Sequence, residues 1–283
     1  MRSMDDVYDR AAKMIDDSDR VVITAANGLS MSEGINLFAQ DEEFIKRFPW
    51  IVSRYGFHSI IQTLFSEIPE NEKWAFWCQL IGDHILDYKT SDVMSSIMDV
   101  VSDKDPIAIT TNGEGHFVIA GIPEDNVFEI EGNWRTMQCS APCHNGIYPS
   151  LKIVSEIRDL MSYDGHIPDA SLPRCPRCGK LMKIRMQDDM SFVQDKIMIS
   201  RLNKTLEDLA SQNVTVMELG VGPRNRMIKG TMMEIVAKNP SWNYITVNSG
   251  QLMIPGIIES RSIGIDDYIL HALEEITSRR IHI

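Results

Sequence analysis

Five cysteines occur in this chain, and four of them fall into two close pairs, Cys139 with Cys143 and Cys175 with Cys178. The second pair lies inside the turn-like run PRCPRCGK, residues 173–180. Two short Cys-x2–4-Cys hooks deliver four thiolates to a closed tetrahedron, at about 2.3 Å per zinc–sulfur bond, without straining either backbone. A catalytic zinc keeps an open position and usually takes a histidine or carboxylate ligand, and His144 beside Cys143 is the one such candidate in the module. The spacing therefore predicts a structural all-thiolate zinc site at Cys139, Cys143, Cys175 and Cys178, with a His144-containing set, disulfides or free thiols as the alternatives.

Compartment bears on that choice. The opening run MRSMDDVYDRAAKMIDDSDR alternates acids with apolar residues at helical spacing and has no signal-peptide core. No stretch approaches the ~18 apolar residues of a membrane span. A cytoplasmic protein with no membrane partner is expected, and in a reducing compartment paired thiols more often bind metal than oxidise. The remaining cysteine, Cys78, lies in a helical stretch and is expected to be a small buried apolar side chain. A chain of 283 residues, 43% hydrophobic, can bury one sizeable core plus a satellite module. Its formal net charge of −12 argues against a nucleic-acid partner, because phosphate binding depends on a basic stripe and none is visible. A phosphate-bearing ligand would have to be held by loop N–H groups and helix N-termini.

Short apolar, β-branched runs recur at residues 20–25, 106–111, 126–130, 214–219 and 243–247. They read as buried parallel strands. Helical patterns lie between them at 4–15, 43–65, 72–87, 91–101, 202–211, 227–238 and 266–278. Alternation of this kind predicts an α/β fold, a Rossmann-like doubly wound parallel sheet whose ligands bind beyond the carboxyl ends of the strands. Residues 134–195 break the rhythm and read as an inserted zinc-binding module that buries little apolar surface by itself, so the metal would supply much of its folding free energy. Residues 1–133 and 196–283 then make the sheet domain, with a helical lobe at about 40–88.

Five strand ends carry the candidate chemistry. After the first strand, Thr24 to Asn36 (TAANGLSMSEGIN) places small residues where a backbone can approach a pyrophosphate, although a plain strand-to-helix turn uses the same residues. After the second comes Ile109 to Phe117 (ITTNGEGHF), where Asn112 is either a ribose-binding amide or a turn residue, and Glu114 and His116 are expected to face solvent. The third, Val127 to Cys139, runs from a strand through Glu131 and a glycine straight into the first zinc ligand, so the metal is expected to fix one wall of the site. Glu131 is equally read as a solvated strand-end carboxylate. The fourth, Glu218 to Arg226 (ELGVGPRNR), and the fifth, Ile245 to Gly250 (ITVNSG), end on the same sheet edge. Asn248 suits a ribose or amide edge; Arg224 and Arg226 reach phosphates or are surface charges.

This order of elements, from Arg20 to Ser278, resembles the sirtuins, and the ELGVG run together with the long second cysteine hook is most similar to the macrodomain-associated class M. The resemblance implies NAD and Zn2+ as cofactors. It carries Ala25, Ala26, Gly28, Ser30, Gly34, Ile35 and Phe38 onto the first nucleotide loop, Thr111 and Asn112 onto the second, Gly220 and Gly222 onto the fourth and Asn248 onto the fifth. Asn112 would face the nicotinamide ribose. Four departures from the deacylases stand out: Glu131 occupies the position of their catalytic histidine, Ala39 that of an arginine, Glu114 that of an aspartate, and Val221 interrupts the Thr-Ser pair.

Members of class M are described as protein ADP-ribosyltransferases acting on a lipoylated carrier of the glycine-cleavage H type, so the resemblance implies transfer of ADP-ribose to a protein acceptor, with that carrier as the candidate. A histidine titrates near about 6.5 and suits the deprotonation that deacylation requires, whereas an unperturbed glutamate near about 4.3 is a weak base at neutral pH. ADP-ribosyl transfer, with Asn112 and Glu131 as the catalytic pair, is the expected activity. Deacylation with a desolvated Glu131, NAD hydrolysis, and an NAD-binding scaffold without activity are the rivals.

Overall fold

A computed structural model describes residues 4–280. Nine strands occur among them: β1 (Arg20–Ala25), β2 (Ile107–Thr110), β3 (Val127–Glu129), β4 (Gly132–Cys139), β5 (Ile147–Pro149), β6 (Met182–Met186), β7 (Val214–Leu219), β8 (Trp242–Val247) and β9 (Ser262–Ile265). Six form one parallel sheet in the order β3-β2-β1-β7-β8-β9. The strand order reverses between β1 and β7, and there the loops leaving adjacent strands diverge to opposite sides and open a crevice.

Both faces of this sheet are covered, which is why its strands read as continuous apolar runs. Val21, Ile23, Met217, Leu219, Ile245 and Ile263 pack one face against the helices Met4–Asp16, Asp92–Val100 and Ile269–Arg279. Val22, Ile107, Val216, Trp242 and Tyr244 pack the other against Lys196–Leu209 and Thr231–Lys238. Among the described residues no helix is long and apolar enough to cross a membrane.

The helical stretches differ from expectation where local chemistry interrupts the period. The expected helix over 43–65 is three short ones, Glu42–Arg47, Pro49–Tyr55 and Ile60–Leu64. Pro49 has no N–H to continue the first, Gly56 ends the second in the left-handed region at φ +67°, and the Ser59 side chain caps the third. The helix Glu70–Ile81 passes into a π-turn, Gly82–Leu86, and a second π-turn, Arg226–Gly230, precedes Thr231–Lys238. Asp195 caps a helix that begins at Lys196, six residues before the apolar period became legible at 202.

The cysteine-bearing stretch is better ordered than its sequence suggests. β5-β4-β6 form an antiparallel sheet, and its apolar residues do not stand alone. Trp134, Val154, Ile157, Leu172, Met182 and Ile184 share one buried cluster with Phe48, Trp50, Ile51, Trp74, Phe76 and Leu80 of the helical stretch. Each such side chain contributes about 1.5–3 kcal/mol on burial, so this shared core supplies folding free energy that the sequence reading assigned to the metal. Cys78 lies in the same cluster, fully buried, and burial pushes its thiol up to about 12.

Trp74 ties the two stretches together: its indole is 2% exposed and its Nε1 donates to the Met182 carbonyl oxygen at 3.1 Å. Trp74→Ala is expected to destabilise the protein by about 3–5 kcal/mol, read as a lower midpoint of urea denaturation. An unchanged midpoint would show that this contact does not join the two stretches.

Candidate active site at the switch point of the sheet

The loops leaving β1 and β7 touch backbone to backbone. Gly28 N donates to Gly220 O at 3.0 Å, and a Cβ placed on Gly28 would lie 2.4 Å from that oxygen. Gly220 adopts φ +63°, and a Cβ there would meet the Gly28 carbonyl carbon, also at 2.4 Å. Only glycine at both positions allows this approach. The second loop is tied to the first by Asn112, whose Nδ2 donates to Ala26 O at 3.1 Å, and the third to the second by Trp134 N donating to Gly113 O at 2.8 Å.

Two clefts open on this framework. The larger, about 590 Å³, is lined by Ala26, Gly28, Gly220, Gly222 and Asn248 of the sequence-selected residues, joined by Asn225, Ser249, Gln251, Asp267 and Tyr268. Asn248 donates through Nδ2 to Val221 O at 3.2 Å, which holds the β7 and β8 loops together. The smaller, about 240 Å³, is lined by Ser30, Ile35, Phe38, Thr111, Asn112 and Glu131, with Glu114 and an apolar wall of Leu37, Ile61, Leu64, Phe65, Trp134 and Met186. Asn27 lines both clefts.

Four selected positions lie elsewhere. Ala25 is fully buried at the end of β1, lines neither cleft, and its carbonyl oxygen accepts from Thr110 Oγ1 at 3.0 Å. Gly34 borders a separate recess of about 30 Å³ beside Ile35. Arg224 and Arg226 are exposed and line neither cleft.

Glu131 stands at a sharp corner between β3 and β4. Gly132 turns the chain in the left-handed region at φ +88°, with room for no Cβ against Arg185 O. Glu129 braces the corner: its Oε2 accepts from Asn133 Nδ2 at 2.7 Å and from an Arg135 guanidinium nitrogen at 2.8 Å. Burial pushes the Glu129 carboxyl up to about 7 against the pull of Arg135. Glu131 itself has no ion-pair partner in the cleft wall, and burial raises its carboxyl above the ordinary glutamate range.

Glu114 and His116 are buried, contrary to the solvent-facing positions expected for them. Glu114 accepts from Ser30 Oγ at 2.6 Å, and burial raises its carboxyl. His116 is engaged at both nitrogens, Nε2 donating to His84 O at 2.8 Å and Nδ1 lying 3.0 Å from Glu33 Oε2, while its ring stacks on Tyr88 at 3.7 Å. Burial opposes charge on His116, but the Glu33 carboxylate outweighs it and raises the imidazole. The carbonyl that His116 uses belongs to the π-turn at 82–86, a device that frees backbone groups from the helical ladder. The His84 ring is pushed down to about 4, by burial and then by Arg47, whose guanidinium lies 2.7 Å from its Nε2.

The four sulfurs of Cys139, Cys143, Cys175 and Cys178 lie within 4.8 Å of one another. Two of the edges, Cys139–Cys178 at 3.6 Å and Cys143–Cys175 at 3.7 Å, match the roughly 3.8 Å edge of a tetrahedron with 2.3 Å zinc–sulfur bonds. This cluster can bind zinc. His144 stands beside the four-sulfur group and is not part of it: its Nδ1 is 3.1 Å from Cys143 Sγ and 3.9 Å from Cys175 Sγ, and its Nε2 meets Tyr148 OH at 2.7 Å.

Comparison with known proteins bears on this geometry. No family model matches the chain. A protein ADP-ribosyltransferase of Staphylococcus aureus (strain Mu50) is 28% identical over 261 residues, covering 90% of this chain and 82% of the relative. A probable bifunctional ADP-ribose hydrolase/ADP-ribosyltransferase of Fusarium oxysporum f. sp. cubense is 23% identical over 223 residues, 75% of this chain but 37% of that protein's length. Among solved structures, a Sir2 homolog in complex with NAD superposes with a TM-score of 0.60 at 14% identity, over 95% of this chain and 92% of that one. A structure determined for sirtuin substrate affinity reaches 0.62 at 14% identity, over 95% and 97%. The fold is that of the sirtuins. Within it, the cleft residues that sequence reasoning passed over, Asn27 and the apolar wall, gave no motif signal; only the position of Asn27 between selected residues 26 and 28 pointed to it.

If the sirtuin-type cysteine cluster holds structural zinc, elemental analysis of the purified chain is expected to give about one zinc per molecule, and Cys175→Ser is expected to lose the metal and lower the thermal midpoint. Metal-free protein with an unchanged midpoint would contradict the assignment.

Proposed function

We propose that the chain is an NAD-dependent protein ADP-ribosyltransferase of the sirtuin fold. The observation that carries this reading is the carboxylate at the β3–β4 corner: Glu131 faces the smaller cleft without a cationic partner, and among the described residues no histidine lines that cleft.

NAD fits the framework on two grounds. The Gly28–Gly220 contact leaves a side-chain-free seam between two loops, where backbone N–H groups can approach a diphosphate as they do in other nucleotide-binding turns. The larger cleft would hold the adenosine half through Ala26, Gly28, Gly220, Gly222 and Asn248, and the smaller the nicotinamide half through Ser30, Ile35, Phe38, Thr111 and Asn112. When bound, NAD supplies a ribosyl carbon whose bond to nicotinamide breaks with build-up of positive charge. Glu131, in the wall of the smaller cleft, would in its ionised form stabilise that charge through space, partly shielded from water. Asn112, its Nδ2 held by Ala26 O, would present its remaining polar edge to the ribose.

Two imidazoles beside the cleft lining, those of His116 and His84, are committed elsewhere. His116 is clamped between Glu33 and His84 O, and the His84 ring meets Arg47. Deacylation needs a base that removes a proton from a ribose hydroxyl, and neither histidine is free to supply it. Transfer to a protein nucleophile asks less of Glu131. The relative from S. aureus carries the name of that activity. For the acceptor, the apolar wall formed by Leu37, Ile61, Leu64 and Phe65 suits a long apolar modification such as the lipoyl arm of a carrier protein, and a propionylated peptide bound to one sirtuin of this fold is a shorter ligand of the same kind.

A second reading, NAD-dependent deacylation, draws on the raised Glu131 carboxyl, since desolvation strengthens a carboxylate as a base. Intact-mass analysis of a lipoylated H-type carrier incubated with the protein and NAD separates the two. One added ADP-ribose is the expected product; loss of the acyl group would support deacylation, and free ADP-ribose with unmodified carrier would contradict both. Glu131→His is expected to lose transfer and gain deacylase activity. Because the ionised form of Glu131 acts and its carboxyl titrates above the usual range, transfer is expected to be full above that raised value and to fall as pH drops through it. Glu131→Gln should abolish this acid limb along with most of the rate; an unchanged limb would assign it to another group.

A further inference from the structure

Asn27 is shared by the linings of the two clefts. Its backbone is fixed, because Gly28, the next residue, is locked against Gly220. Its Oδ1 is sealed from solvent and receives no hydrogen bond. A buried acceptor left unpaired destabilises the fold that holds it.

Local structure does not explain an asparagine there. The helix Asn27–Ser32 is capped by Ala26, with no side-chain cap hydrogen bond, so Asn27 is the first helical residue and its amide does not serve as the cap. The residues on either side of it in the loop are small, as a close backbone approach requires. A polar side chain that caps nothing, carries an orphan acceptor and stands on the partition between two clefts is a group waiting for a ligand donor.

We propose that Asn27 reads the ligand itself: its half-buried side chain turns about the Cα–Cβ bond, so that the amide oxygen, unpartnered where it stands, accepts a hydrogen bond from a hydroxyl of the second ribose of a dinucleotide that runs from the larger cleft into the smaller. The inference rests on the NAD reading above and adds a residue to it. Acceptor chemistry selects the partner. An amide oxygen has only lone pairs, and a diphosphate diester carries no proton at neutral pH, so phosphate oxygens cannot satisfy it. A ribose hydroxyl can, and the ribose beyond the diphosphate is the first such donor on the smaller-cleft side.

Calorimetric titration of the full chain with ADP and with ADP-ribose isolates that ribose. The parent is expected to bind ADP-ribose about tenfold more tightly than ADP, one tenfold step being about 1.4 kcal/mol. Asn27→Ala should remove this preference while leaving ADP affinity within about twofold. Asn27→Asp keeps the acceptor in the same place, so it should retain the preference even though its new charge weakens both ligands beside the diphosphate. Parallel loss of both ligands in Asn27→Ala would indicate a structural role and overturn the proposal, as would an unchanged preference in Asn27→Ala or a lost one in Asn27→Asp. If the parent binds neither nucleotide, the NAD reading fails first and takes this inference with it.

Discussion

The contact between Gly28 and Gly220 is the constraint on which the rest of the site depends. It joins the loops after β1 and β7 at the place where the strand order of the sheet reverses, and it needs both residues to be without a side chain. That seam lines the larger cleft, holds the backbone next to Asn27, which lines both clefts, and leaves backbone groups along the path that a diphosphate would take. An acidic protein has no cationic field to spend on phosphates, and a seam of this kind answers the same need with N–H dipoles.

The other half of the site is held from the opposite side. β4 starts at the Glu131–Gly132 corner and ends on Cys139, a fully buried member of the four-sulfur cluster. Between them Trp134 packs edge-on against Trp77, with ring centroids 5.8 Å apart, and donates its backbone N–H to the Asn112 loop. A metal held at the far end of that strand would stand apart from the cleft and, with the shared apolar core beneath it, would help to fix where Glu131 stands. His116 and His84 are likewise held, by Glu33 and by Arg47, and among the described residues no histidine lines the smaller cleft.

The parallel strands and the cysteine cluster were legible because each rests on a local signal. Runs such as Val214–Leu219 are buried on both faces and read as unbroken apolar segments, and thiol pairs declare themselves by spacing. The period over 43–65 misled because apolar residues continue through Pro49 and Gly56, which end helices without disturbing the pattern around them. β9 was missed: SIGI is four residues long and contains Gly264. The burial of Glu114 and His116 had no local signature at all. It is decided by Glu33 and Ser30, more than eighty residues earlier in the chain, and by a carbonyl that only a π-turn exposes. Asn27 escaped for a related reason, since its meaning lies in two clefts that exist only once β1 and β7 are neighbours.

Hydrogen exchange of the full chain with and without NAD tests the central claim most directly. Occupation of the switch-point crevice predicts slowed exchange in the segments 26–32 and 220–225 and at the 112–116 loop, with the segments around the four-cysteine cluster unchanged. Protection confined to other parts of the molecule, or none at saturating NAD, would contradict the account.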